Sequence, residues 1–200
     1  DVSTASYSSV SFSVAAQDTT PEGLAFNTDG TRMFIVGYAG QDINEYALTT
    51  GFDISTASFT DSFSVASQET EPTGVAFNSN GTKMFVVGNN VDTVFQYTLT
   101  TGFDVSTASY DSISFSVASK DNVVMDIEFN PTGNKMFILG LQNKSIYEYT
   151  IPLALQLGTG SFAAGDVGKT VEANSGVFVL TATTGTYVES TAPSSYAQVA

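Results

Sequence analysis

Carboxylates and carboxamides recur at fixed places along this chain. Asp18 and Glu22 precede one apolar run, Glu69 and Glu71 a second, and Asp121 and Asp126 a third. Each run is followed by a polar stretch: Tyr38, Gln41 and Asp42; then Asn89, Asn90 and Asp92; then Gln142, Asn143 and Lys144. Such groups can hydrogen-bond a sugar or supply oxygen ligands to Ca²⁺. Ordinary polar loops have the same composition, and no segment matches an EF-hand loop. Glu128 is the odd member, because the matching positions of the two earlier runs are Ala25 and Ala76. A carboxylate at a small, inward-looking position needs a partner or water. A wet channel, a subunit contact or a ligand site would each supply one.

Much other chemistry is excluded. The chain has no Cys and no His, which removes disulfides, Cys nucleophiles, His-based triads and the usual zinc ligand sets. General acid–base work would fall to carboxylates, and no pair stands out in the sequence. Six basic against 20 acidic residues give a net charge of −14, a field that repels nucleic acid and anionic membrane. No apolar run approaches the roughly 18 residues of a membrane span. Gly165-Asp166-Val167-Gly168-Lys169-Thr170 ends like a phosphate loop, but the first Gly of that motif would fall on Ala163 and no helical period follows. Asn80-Gly81-Thr82 and Asn143-Lys144-Ser145 fit the glycosylation pattern, a match short enough to arise mostly by accident.

The elements that carry these residues are repeated. Asp1-Val2-Ser3-Thr4-Ala5-Ser6-Tyr7 returns from Asp53 to Phe59 and from Asp104 to Tyr110, starts that are 52 and 51 residues apart. Gly23 to Gly37 returns as Gly74 to Gly88 and, more loosely, as Asp126 to Gly140. Each copy divides into four short strands with apolar residues at period two. In the second copy these are Gly74–Asn78, Lys83–Val87, Thr93–Leu99 and a fourth through Val105–Tyr110 that continues to Phe115 and Val117. Asn80-Gly81 marks a hairpin, since both residues tolerate positive φ. Met33–Val36, Met84–Val87 and Met136–Leu139 are apolar on both faces, and such strands need a layer on each side. With 15 Phe and 9 Tyr, the chain has the aromatic content of a folded protein.

Phe77-Asn78-Ser79-Asn80-Gly81-Thr82-Lys83-Met84-Phe85-Val86-Val87-Gly88 resembles the signature of YVTN/WD40-like β-propeller repeats. The resemblance covers about residues 1–150 and implies an all-β fold of tandem four-stranded blades. Three are present, at about 1–52, 53–103 and 104–150. It also implies that the acidic segments and the polar stretches share one rim. Rings typically need 4–8 blades, so either further blades precede Asp1 or two chains pool three each. Asp1 falls inside a repeat, which leads us to expect a piece of a longer chain or a processed product. The copies begin with their fourth strand, so the array ends at Tyr149 without one. An upstream strand could close it, or the alternating Ile151, Leu153, Leu155 and Leu157 could.

Residues 151–160, with Gly158-Thr159-Gly160, read as a linker, and 161–200 as a small, incomplete β-rich module. Its run from Asp166 to Tyr187 is similar to segments of phage tail-fibre and other virion appendage proteins. Together the resemblances imply an extracellular structural or interaction protein without enzymatic activity: a virion appendage with host-glycan binding. The alternatives are a surface adhesin of a marine bacterium and, less favoured, a propeller hydrolase or lyase. The implied ligand-binding residues are Tyr38, Asp42, Asn89, Asn90, Asp92, Asn143 and Glu128. No organic cofactor is implied, and the carboxylates could hold Ca²⁺. The expected partners are other copies of the chain, other virion or surface proteins, and a cell-surface glycan, with no nucleic acid and no membrane insertion.

Overall fold

A computed structural model describes residues 2–151, 170–173, 176–179 and 197–198. The chain divides into two compact units, residues 1–151 and 152–200. In the first, period-two apolar runs form antiparallel strands in chain order. They are β1 (Pro21–Phe26), β2 (Arg32–Gly37), β3 (Asp42–Leu48) and β4 (Ala57–Ser64) in one sheet. The second sheet has β5 (Pro72–Phe77), β6 (Lys83–Gly88), β7 (Thr93–Leu99) and β8 (Ala108–Ser116). The third has β9 (Val124–Phe129), β10 (Lys135–Gly140) and β11 (Ser145–Thr150), and no fourth strand among the described residues. These are three tandem β-propeller blades. Of the residues expected to close the third, Leu153, Leu155 and Leu157 lie outside the described residues.

Local chemistry explains where the strands end. The β1–β2, β5–β6 and β9–β10 turns each place a glycine at positive φ: Gly30 at 71°, Gly81 at 71° and Gly133 at 68°. Only the glycine uses that region. Asn80 contributes its side chain instead, its Oδ1 accepting from the Thr82 amide at 3.1 Å and the Thr82 hydroxyl at 2.7 Å. The fourth strands start later than the sequence reading has them. Ile54–Thr56 and Val105–Thr107 are single 3-10 turns, because the carboxylates of Asp53 and Asp104 accept from the amides of Ser55 and Ser106 and divert the backbone from the ladder. Pairing resumes at Ala57 and Ala108.

The apolar core lies between blades. Phe34, Val36 and Ile43 of the first blade pack with Val75, Met84 and Val86 of the second. Val87 and Val94 of the second pack with Ile127, Met136 and Ile138 of the third. A phenylalanine pair marks each junction: Phe34–Phe77 with ring centroids 4.3 Å apart, and Phe85–Phe129 at 4.5 Å. β6, the second strand of the middle blade, is thereby covered by a neighbouring blade on each of its faces. In the second unit, β12 (Thr170–Ala173) pairs antiparallel with β13 (Gly176–Val179) and β14 (Ala197–Gln198), in the order β13-β12-β14. The expected hinge at Gly158–Gly160 lies outside the described residues.

Candidate functional site

Two places gather polar chemistry in the first unit. One is the end of each blade where the segment before its first strand meets the loop after its second. The other is the cleft lined by the first strands.

At the blade ends, three equivalent carboxylates are buried: Asp18, Glu69 and Asp121. Asp18 accepts from the amides of Thr20 at 2.6 Å and Gly40 at 2.5 Å. Glu69 accepts from Glu71 at 2.8 Å, Asn90 at 3.2 Å and Val91 at 3.3 Å. Asp121 accepts from Val123 at 3.0 Å, Gln142 at 3.2 Å and Asn143 at 2.9 Å. Each acid therefore binds its own loop to its own pre-strand turn. Burial pushes the Asp121 carboxyl up, but the amides of Asn143, Val123 and Gln142 outweigh it and hold the group below the ordinary aspartate value. The glycine ending each second strand makes room for the acid. A Cβ on Gly37, Gly88 or Gly140 would collide with Asp18, Glu69 or Asp121 respectively. Recurrence of that glycine with an acid about twenty residues earlier was the available sign of this arrangement in the sequence.

The seven residues singled out in the sequence divide between the two places. Tyr38 is exposed on the first loop, its amide donating to Thr20 O. Asp42 accepts from Asn44 Nδ2 at 2.6 Å; burial raises its pKa, Asn44 opposes this, and the Asp18 charge adds to it. The Asn89 and Asn90 amides donate to Glu71 O and Glu69 Oε1. Asp92 has a positive φ of 48°, and its pKa is raised by burial and then by the charges of Glu69 and Asp121. Asn143 donates through Nδ2 to Lys120 O at 2.7 Å. Among the described residues, Asn89 Oδ1 and Asp92 Oδ1 are buried without a hydrogen-bond partner, and no three acidic side chains are grouped to hold a metal ion.

Glu128 stands apart from those six. It is exposed on β9 and faces the cleft of ≈ 390 Å³ between the first strands, with Asp126, Ala25, Ala76, Asn78 and Ser79. Asp126 and Glu128, two apart on a strand, belong to one face. They replace Gly23 and Ala25 of the first blade and Gly74 and Ala76 of the second. The cleft therefore carries its carboxylates on one wall only.

No family model and no curated protein matches the chain. Solved structures do, at the level of the fold. A candidate 6-phosphogluconolactonase from Bacteroides uniformis superposes with a TM-score of 0.51 at 15% identity, over 71% of this chain and 40% of its own. A second, from Bacteroides fragilis, gives 0.50 at 13%, over 68% and 36%. A protein of unknown function from Desulfotomaculum acetoxidans gives 0.51 at 17%, over 67% and 40%. The chain thus spans about two fifths of the length of the structures it matches, and the likeness establishes the β-propeller fold. The expectation of a non-enzymatic virion appendage or adhesin is overturned, because the fold is shared with candidate sugar-lactone hydrolases. The physical reason for the error lies at the rim. Three of its acids, Asp18, Glu69 and Asp121, are turned inward onto backbone amides of their own loops.

Proposed function

We propose that the chain is part of a β-propeller hydrolase acting on an uncharged cyclic sugar ester at the cleft between its first strands. The observation that carries this reading is the placement of Asp126 and Glu128 where the other two blades have only glycine and alanine. The likeness to candidate lactonases supports the reaction class. In this reading Glu128 takes a proton from water as its oxygen attacks the lactone carbonyl. The ring C–O bond then breaks, and the proton passes to the departing ring oxygen, leaving a hydroxy acid. Asp126 accepts hydrogen bonds from sugar hydroxyls and holds the ring. A net charge of −14 and two carboxylates in the cleft disfavour a phosphorylated lactone through like-charge repulsion.

The test is acid release from glucono-δ-lactone, followed by pH-stat above the spontaneous rate. Acceleration by the wild type, with kcat/KM lower by roughly 10²-fold or more in Glu128→Gln, is the expected result for loss of a general base. A 6-phospho-lactone should be the poorer substrate. A folded wild-type protein that leaves the spontaneous rate unchanged would overturn the reading.

A further inference from the structure

The first and last blades expose residues whose counterparts inside the array are buried. Leu24 of β1 is 61% exposed, while its equivalents Val75 and Ile127 are 7% and 1% exposed, each covered by the blade before it. At the other end, Leu139 of β10 is exposed, whereas Val36 and Val87 are covered by the blade that follows. Ile146 of β11 is 70% exposed against 0% for Ile43, whose strand is flanked by β4. Phe26 and Phe137 occupy the two halves of the phenylalanine pair found at both internal junctions. Beside Leu24, an apolar groove of ≈ 380 Å³ is lined by Phe12, Val14, Phe26, Met33 and Ile35. One end of the array thus presents what the other end lacks.

The segment before β1 completes the match. Ala5–Ser13 aligns residue for residue with β8, Ala108–Ser116. Ser9 already has the positive φ, 62°, that Ser112 has at 58° inside the paired β8. Phe12 meets Tyr46 edge-on at 5.4 Å, as Phe63 meets Tyr97 at 5.5 Å and Phe115 meets Tyr149 at 5.3 Å. In the two latter pairs the phenylalanine belongs to the fourth strand of the preceding blade. Residues 5–13 therefore lie where the fourth strand of a preceding blade would lie. No described strand pairs with them, and no described strand pairs with β11 on the side away from β10.

The geometry points to head-to-tail association of two copies of this chain, in which residues 5–13 of one copy form the fourth strand of the other's third blade. The register follows from β7 and β8: Ser145 opposite Ser13, Ile146 opposite Phe12, Tyr149 opposite Tyr7 and Thr150 opposite Ser6. Phe137 then meets Phe26 of the second copy, and Leu139 and Leu24 are covered. Two copies give six blades, within the 4–8 that close a ring. The junction between copies is wider near the axis than the internal ones. Asp126 stands where Gly23 and Gly74 let the next blade's backbone come within 2.7 Å and 2.9 Å of a Cβ position. This inference is independent of the hydrolase reading, since it rests on strand pairing alone.

The test uses this 200-residue chain, which has no cysteine. Light scattering across a concentration series should give twice the 21.0 kDa of one chain, and Ile146→Lys, at an exposed position, should return it to one. Register is read by oxidising mixtures of single-cysteine variants. Ser6→Cys with Thr150→Cys, and Ser13→Cys with Ser145→Cys, should cross-link between copies. Ser6→Cys with Ser145→Cys should not, because antiparallel pairing sets those positions on the order of 20 Å apart. A mass of one chain at every concentration would overturn the proposal. So would cross-linking of the mismatched pair, or a Ser6→Cys/Thr150→Cys double variant that closes only within a single chain.

Discussion

One hydroxyl shows how a single substitution breaks a repeated contact. Tyr46 and Tyr97 donate to Gln17 at 3.2 Å and Gln68 at 3.4 Å. The third tyrosine, Tyr149, faces the copy in which that glutamine has become Lys120. A lysine side chain has no acceptor to offer, and among the described residues the Tyr149 hydroxyl is buried without a partner. Lys120→Gln should therefore stabilise the fold by about 0.5–1.5 kcal/mol, the typical net worth of one hydrogen bond. The check is a higher urea midpoint at unchanged m-value. Sequence comparison of the copies exposes this position directly. It also exposes Asp18, Glu69 and Asp121 as a repeated set, but residue types do not say which way a carboxylate points. A carboxylate can bind a ligand or three amides of its own chain, and only the loop's path decides between them.

At the scale of the element, strands were legible wherever apolar residues alternate, and β7 runs from Thr93 to Leu99 as its pattern requires. The 3-10 turns were not, because Asp-Val-Ser-Thr reads as strand by composition while the aspartate side chain competes for the backbone. Asp104 Oδ1 accepts from both the Ser106 amide at 3.1 Å and the Ser106 hydroxyl at 2.6 Å. Asp104→Ala should cost about 0.5–2 kcal/mol, as loss of a capping side chain does, measured by denaturant titration. The turn has a second anchor: the Val105 amide donates to the buried Glu45 at 2.8 Å, a bond from the second blade's outer segment to the first blade. Glu45 also pairs with Arg32 and accepts from Thr60 Oγ1. Long-range ties of this kind leave no periodic trace in a sequence, which is why the outer edge of the array was the least legible part.

Across the whole first unit, the sequence pattern marks Leu24, Leu139 and Ile146 as core residues, and their repeat equivalents are core. Their exposure is a property of neighbours, not of strands, so no reading of one copy could reveal it. The same neighbour dependence gives a thermal prediction. If a second copy covers these residues, the unfolding midpoint of the wild type should rise with protein concentration, because association stabilises only the folded state. The Ile146→Lys midpoint should stay constant over the same range in scanning calorimetry. The placement of the core between blades carries a further consequence. A blade by itself encloses nothing, so cohesion scales with the number of junctions and not with the number of residues. However many blades are strung in a line, two of them must each turn one greasy side to water. Bending the line into a circle is the one change that removes both at once.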